Sequence, residues 1–172
     1  MSPDPKTTRT FLSLGSNTGD RTGNLNNAVK LVERECGHIE AVSSFYETSP
    51  WGFSENSAPF INAALAVRTE LSPYDLLERC LSIEKKLGRA RSTKFCGYTS
   101  RPIDIDILFF GDIIIRDKKL TIPHPLINSR MFVLEPLAEI APELIHPEHR
   151  KTIEELKVAC KDRGKARKLQ SL

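Results

Sequence analysis

The stretch Ile103-Asp104-Ile105-Asp106-Ile107-Leu108-Phe109-Phe110 decides how the chain is read. Apolar and acidic residues alternate over its first half, and period-two alternation marks a strand whose two faces differ. Side chains two apart share a face, so Asp104 and Asp106 project together, about 7 Å apart at their Cα atoms. Ile103, Ile105 and Ile107 point the opposite way, into a core. Gly111-Asp112 closes the strand with a turn signal.

Upstream of this strand lies the clearest helix start in the sequence. Ser72 is a natural N-cap, Pro73 suits the first helical position, and Asp75 can complete a capping box. Leu76, Cys80, Ile83 and Leu87 form the buried stripe, and Gly88 stops the helix. Before it, Phe60 to Thr69 reads as a strand with Phe60, Asn62, Ala64 and Ala66 on one face and Ile61, Ala63, Leu65 and Val67 on the other. Further back, Thr10 to Leu14 is a strand ended by Gly15-Ser16-Asn17. Leu25, Ala28, Val29 and Val32 define a helix with Asp20 and Thr22 as candidate caps and Gly37 as its stop. Ile39 to Tyr46 is the second strand, and Pro50-Trp51-Gly52 opens a loop to Pro59. The order strand, helix, strand, strand, helix, strand predicts an α+β fold of the ferredoxin-like βαββαβ kind: an antiparallel sheet with two helices on one face. An apolar run at 113–115, a loop around Pro123 and a helix from Phe132 to Ile140 follow. The basic stretch His149 to Lys168 is expected to be a solvated helix or frayed tail. Residues 1–172 are expected to form a single domain, with a core over about 10–145 and a C-terminal extension at 150–172.

Bulk properties narrow the function. The chain has 172 residues, 40% apolar and 27% charged, with a formal charge of +3, too small to imply nucleic acid. No apolar run reaches the length of a membrane span, and no hydrophobic segment precedes Phe11. Cys36, Cys80, Cys96 and Cys160 are scattered without a CxxC pair, which argues against a zinc site or disulfide framework. The expectation is a cytoplasmic monomer with no membrane or nucleic-acid partner.

Two carboxylates side by side repel unless a cation neutralises them, and hard oxygens of this kind suit Mg²⁺, whose shell water and phosphate complete. A bare DxD is often only the wet face of a strand. Here, though, aspartate is a poor strand former, and the loop bearing Arg89, Arg91, Lys94 and Arg101 leads into this one. Guanidinium forks clamp phosphate oxygens, so acids and arginines together suggest phosphoryl transfer. His124, fixed between Pro123 and Pro125, can be aimed at a phosphate, with Arg130, Lys119 and Thr121 near it in sequence. Phe60, Asn62 and Trp51 offer stacking and hydrogen bonds to a flat heterocycle.

Taken together, the segments resemble the hydroxymethyl-dihydropterin pyrophosphokinase family of folate synthesis. The matching pieces are Leu14-Gly15-Ser16-Asn17, Ser43-Ser44-Phe45-Tyr46-Glu47-Thr48, Phe60-Ile61-Asn62-Ala63-Ala64, Ile83-Glu84 with Leu87-Gly88-Arg89, and Arg101-Pro102-Ile103-Asp104-Ile105-Asp106-Ile107-Leu108. Pro123-His124-Pro125, Arg130-Met131-Phe132-Val133-Leu134 and Pro136-Leu137 follow. The resemblance implies a ferredoxin-like fold and transfer of the β,γ-diphosphate of ATP to the hydroxymethyl group of a reduced pterin, with release of AMP. By similarity, Asp104 and Asp106 hold two Mg²⁺ ions, Arg89 and Arg101 stabilise the transferring group, and Arg91 helps hold the nucleotide. Glu84, Ile107, Lys119, Thr121, His124 and Arg130 match nucleotide-contacting positions. Thr48, Asn62, Phe60 and Phe132 match the pterin pocket, with Trp51 on the loop that lines it. Two departures stand out: the step before Arg101 is longer than the family's usual Gly-Pro or Ala-Pro, and Phe60 replaces a frequent tyrosine. Other readings of the same residues are a different Mg-dependent phosphotransferase or nuclease and, more remotely, an RNA-binding module on the same fold.

Overall fold

The ten-residue strand Phe60–Thr69 (β4) is the axis of the sheet. It pairs antiparallel with Thr8–Ser16 (β1) from Thr8↔Thr69 through to Ser16↔Ile61. On its other side lie His38–Val42 (β2) and Tyr46–Thr48 (β3). Asp104–Phe110 (β5) adds to the outer edge of β1, also antiparallel. These strands belong to a computed structural model that describes residues 6–49, 58–89 and 100–169. The order β5-β1-β4-β3, with β2 also on β4, bears out the expected antiparallel sheet with helices.

Two helices cover one face. Arg21–Glu35 (α1) begins where the Asp20 carboxylate accepts from Gly23 N at 2.9 Å. Pro73–Lys86 (α2) begins where Ser72 Oγ accepts from Asp75 N at 3.2 Å. Each cap satisfies an amide that the first helical turn leaves without a partner. Leu25, Ala28 and Val32 of α1 and Leu76, Cys80 and Ile83 of α2 pack on Leu12, Leu14, Leu65 and Ile105. Gly37 turns the chain out of α1 at φ 145°, and a Cβ there would lie 2.2 Å from the Arg68 carbonyl oxygen, so only glycine fits.

The expected strand Ile39 to Tyr46 is broken in two. Ser43 sits at the break, and its Oγ accepts the Ala64 amide at 2.9 Å in place of a ladder carbonyl. A polar side chain near the backbone competes with sheet pairing in this way. After β5 come a small hairpin, Ile115–Arg116 (β6) with Thr121–Ile122 (β7), and a short turn of helix at Ile127–Ser129. Ile113 and Ile114, expected in an apolar run, are exposed ahead of it.

The opposite face is covered too, which the expectation of helices on one side did not include. Met131–Ile140 (α3) and Ile153–Ala159 (α4) pack Val133, Leu134, Leu137, Ile153 and Leu156 against Phe11, Ala64, Ala66, Leu108 and Phe109. A bulge makes this possible. Phe11 pairs with Phe109 and Leu12 with Ile107, so Leu108 is the extra residue. Both Leu108 and Phe109 then reach the second core, while Ile105 and Ile107 stay in the first.

The basic stretch after residue 149 does contain a helix, but it is packed into this layer rather than solvated or frayed. A reciprocal Thr152–Glu155 capping box starts α4, Ile153 is fully buried, and Ala166–Lys168 (β8) pairs with β3. Ile153→Ala is therefore expected to lower stability by about 2–4 kcal/mol, read from urea unfolding, because it opens a cavity in the second core. No change would return the segment to the status of a tail.

Glu139 of α3 ties this layer to the sheet edge. Its carboxylate accepts from Ser44 N at 3.0 Å, Ser44 Oγ at 2.8 Å, Tyr46 OH at 2.7 Å and Lys168 Nζ at 3.0 Å. Burial works to raise its pKa, but the bonds from Tyr46, Ser44 and Lys168 outweigh it and hold the group below its ordinary value of 4.5. A lowered folded-state pKa contributes stability above the ordinary value and loses it as pH falls through the folded value. Glu139→Gln is expected to flatten that acid limb, measured as denaturation midpoint against pH from neutrality downward.

Candidate active site

Where α3 stops short of the sheet, part of the second face is left open as a cleft. Its floor is set by strand register. Asn62 of β4, Gly15 of β1 and Asp104 of β5 stand opposite one another in one row, and Ala64, Ser13 and Asp106 form the next. Gly15 keeps the first row flat, since a Cβ there would come within 2.9 Å of Asn62 Oδ1 and 3.6 Å of Phe60 Cδ1. Asp104 and Asp106 therefore share one face, with Ile103, Ile105 and Ile107 buried on the other, as the alternation predicts.

The cleft has two lobes that meet at the acids. The first, about 510 Å³ of space open to solvent, is walled by Phe60 and Phe132, with Thr48 and Asn62 at its base. Asn62 Nδ2 donates to Thr48 Oγ1 at 2.6 Å, which orients the amide and leaves Oδ1 on the Gly15 side. The Arg130 guanidinium lies 5.6 Å from the centre of the Phe132 ring. The second lobe is lined by Glu84, Arg89 and His124, with Leu77 and Leu81 of α2 as an apolar wall. Arg101, Asp104, Asp106 and Arg130 border both.

Asp104 is gripped by two guanidiniums. Arg89 Nη1 lies 2.5 Å from Asp104 Oδ1 and 2.6 Å from Glu84 Oε1, and Arg101 Nη1 lies 3.2 Å from Asp104 Oδ2. The same Glu84 oxygen accepts from Ile105 N at 2.8 Å, so α2 is bolted to β5 beside the acids. Burial works against the charge on Arg89, but Asp104 and Glu84 outweigh it and raise its pKa. Asp106 fares differently. Burial first, then the negative charges of Asp104 and Glu84, push it up to about 7 against the pull of Arg130 and Arg101. Burial and Arg130 lower His124 to about 4, against the influence of Asp104, so its imidazole is neutral near pH 7. Leu126 N donates to His124 Nδ1 at 3.2 Å, which leaves the proton on Nε2 as a donor.

The donor chemistry fits a hard cation. Among the described residues no group of three or more His, Cys, Asp or Glu side chains could hold a metal alone. The two carboxylates instead offer the incomplete oxygen set that Mg²⁺ completes with water and phosphate, and a cation would relieve the repulsion that burdens Asp106.

Most residues singled out in the sequence converge here: Glu84, Arg89, Arg101, Asp104, Asp106, His124, Arg130, Thr48, Phe60, Asn62 and Phe132. Ile107 does not present its side chain. It is packed in the first core, 5% exposed, so only its backbone can meet a ligand. Lys119 and Thr121 lie on the β6–β7 hairpin and line neither lobe among the described residues. Trp51 and Arg91 fall outside the described residues, as does Lys94. Asn17 was read as part of a turn signal and of a family-matching segment but given no role, yet it is 2% exposed and clamps the Arg101 backbone. Its Oδ1 accepts from Arg101 N at 2.7 Å and its N donates to Arg101 O at 3.2 Å. Ser13, Leu77 and Leu81 carried no signal in the sequence. Their place depends on which strands and helices become neighbours.

The description of the family 7,8-dihydro-6-hydroxymethylpterin-pyrophosphokinase (HPPK) matches residues 11–142, a span that contains both lobes of the cleft. The chain belongs to this family. A 2-amino-4-hydroxy-6-hydroxymethyldihydropteridine pyrophosphokinase of Porphyromonas gingivalis is 45% identical over 139 residues, covering 80% of this chain and 93% of the relative. Enzymes of the same name from Aquifex aeolicus (43% over 147 residues, 86% and 89%) and Bacillus subtilis (42% over 135 residues, 78% of each) are similar to it as well. Among solved structures, wild-type Plasmodium falciparum HPPK-DHPS superposes with a TM-score of 0.74 at 21% identity. The match covers 92% of this chain and 45% of the Plasmodium chain, so this protein spans less than half the length of that longer one. At that identity the likeness shows a shared fold.

The clamp yields a test. Asn17→Ala leaves a part-buried Arg101 amide without its acceptor and is expected to cost about 1–3 kcal/mol of stability in denaturant unfolding. Weaker binding of a fluorescent ATP analogue should accompany it, since Arg101 then loses its fixed position.

Proposed function

We propose that this protein transfers the β,γ-diphosphate of ATP to the hydroxymethyl group of 6-hydroxymethyl-7,8-dihydropterin, releasing AMP, as a step of folate biosynthesis. The observation that carries the reading is the meeting of two unlike lobes at one acid pair. One lobe has aromatic walls and an oriented carboxamide, suited to a flat heterocycle. The other has an apolar wall, arginines and a neutral histidine, suited to a nucleotide.

In the reaction the substrate hydroxyl oxygen forms a bond to the β-phosphorus and gives up its proton. The bond from that phosphorus to the oxygen bridging it to the α-phosphorus breaks, and AMP departs with that oxygen. Asp104 and Asp106 would hold Mg²⁺, two ions in our reading, and bound Mg²⁺ supplies charge neutralisation on the polyphosphate. Arg89 and Arg101 donate to the transferring group, which would draw them from Asp104 and free that carboxylate. Glu84 keeps Arg89 in place during that exchange. His124 Nε2 and Arg130 donate to the nucleotide phosphates, the Ile107 backbone borders the nucleotide, and Lys119 and Thr121 approach it from the hairpin. Phe60 and Phe132 sandwich the pterin ring, while Asn62 and Thr48 bond its edge. Trp51 and Arg91 belong to the same site in this reading. The strand order, with paired helices after β1 and β4, supports a ferredoxin-like core within a single domain. We further assign the protein to the cytoplasm as a monomer. The buried free thiols Cys36, Cys80 and Cys160 and the absence of a membrane-crossing helix among the described residues agree with that setting.

Incubation with ATP, Mg²⁺ and the reduced pterin alcohol is expected to yield AMP, and ADP would point instead to ordinary phosphoryl transfer. Asp104→Asn and Asp106→Asn should each lower AMP formation by more than about a hundredfold, on the scale of losing a charge-stabilising group. Asp106→Asn should melt no lower than the native protein near neutral pH. Its carboxyl is easier to protonate folded than unfolded, so above about pH 7 the ionised group opposes folding. Near-native turnover in either variant would remove the acids from the mechanism.

A further inference from the structure

Seven buried residues among those described carry a hydroxyl, and six of these hydroxyls are bonded. Thr10 Oγ1 donates to Phe109 O at 2.6 Å, Thr69 Oγ1 to Cys36 O at 2.5 Å, and Tyr46 OH to Glu139 at 2.7 Å. Ser16 Oγ accepts from Asn24 Nδ2 at 3.3 Å, Ser43 Oγ from Ala64 N at 2.9 Å, and Thr48 Oγ1 from Asn62 Nδ2 at 2.6 Å. Ser13 is the seventh. It is 8% exposed, and its hydroxyl makes no hydrogen bond to a described residue. This hydroxyl opens onto the first lobe, so a group that enters the cleft can become its partner.

Ser13 is not oriented at random. It stands directly opposite Asp106 in the β1–β5 register and opposite Ala64 in the β1–β4 register, and it lines the first lobe beside Asp104 and Asp106. Opposed residues of an antiparallel pair have Cβ atoms about 4.5–5.5 Å apart, within reach of a hydroxyl and a carboxylate once either turns. Ala64 on the other flank offers no side-chain polar group, so Asp106 and whatever it holds are the groups Ser13 can meet across its own row.

We propose that Ser13 is a positioning residue for Asp106. Its hydroxyl donates to the ionised carboxylate when a divalent cation is bound and fixes which oxygen faces the metal. The proposal rests on the assignment of Asp104 and Asp106 as metal-holding acids. Groups that orient a metal ligand without touching the metal commonly matter tenfold or more in affinity.

The test is Mn²⁺ binding to the full chain with α,β-methylene-ATP, followed by electron paramagnetic resonance, for the native protein, Ser13→Ala, Ser13→Thr and Asp106→Asn. Ser13→Ala is expected to weaken Mn²⁺ binding about tenfold and Ser13→Thr, which keeps the hydroxyl, to restore it to within about threefold. In turnover, Ser13→Ala should lower kcat while the KM for the pterin holds, and its thermal midpoint should match the native one. Native-like Mn²⁺ affinity in Ser13→Ala, with Asp106→Asn defective, overturns the role of Ser13 alone. Absence of Mn²⁺ binding in the native protein, or full binding in Asp106→Asn, overturns the metal assignment and this proposal with it.

Discussion

Two carboxylates on one face of one strand repel each other, and much of this structure is arranged to hold them there. β5 cannot rotate to separate them, because Ile103, Ile105 and Ile107 anchor its other face in the first core. Arg89 and Arg101 neutralise Asp104 from two sides, and Glu84 holds Arg89 while also bonding the Ile105 amide. That arrangement leaves Asp106 with the cost: close to an anion, largely desolvated, and pushed toward protonation. A site of this kind is unfavourable by itself, and a cation held there, as proposed, would relieve it.

The sheet has to be covered on one face and only partly covered on the other to expose such a pair. α1 and α2 close the first face. α3 and α4 close the second only as far as Ala64, Leu108 and Phe109, and the bulge at Leu108 marks where the covered half begins. Beyond that line the same strands turn acidic, polar or side-chain-free: Asp106, Ser13 and Asn62, with Gly15 among them. The Glu139 hub and β8 hold the second layer at the sheet edge, so the region read as a solvated basic helix or tail helps set where the cleft ends.

Features that depend on near neighbours were legible in the sequence. The IDIDI alternation gave the common face of the acids, Ser72-Pro73 gave the start of α2, and the β4 alternation named both of its faces correctly. Features that depend on distant partners were not. Ser43 interrupts a strand only because Ala64 lies opposite it. β8 is three residues long, too short for any period, and is a strand because the edge of β3 is free to receive it. The rows Asn62–Gly15–Asp104 and Ala64–Ser13–Asp106 draw on three strands far apart in the chain. The β4 face offered Asn62, and resemblance to a family supplied Phe132 and Glu84 as site residues, but Ser13 lies outside the residues quoted for it.

The ion pairs around Asp104 also bear on the order in which ligands can be accommodated. With no phosphate present, the guanidiniums of Arg89 and Arg101 are committed to Asp104, and the carboxylate is committed to them. A cation alone would meet a carboxylate already neutralised, and a polyphosphate alone would meet arginines already paired. In the proposed reaction the anion would take the guanidiniums and the cation the acids, so each charge would exchange one partner for another. Under the proposed reading, cooperative uptake of metal and nucleotide would follow from these ion pairs. The paired strands β1, β4 and β5 fix the spacing of the acids in which this exchange would take place.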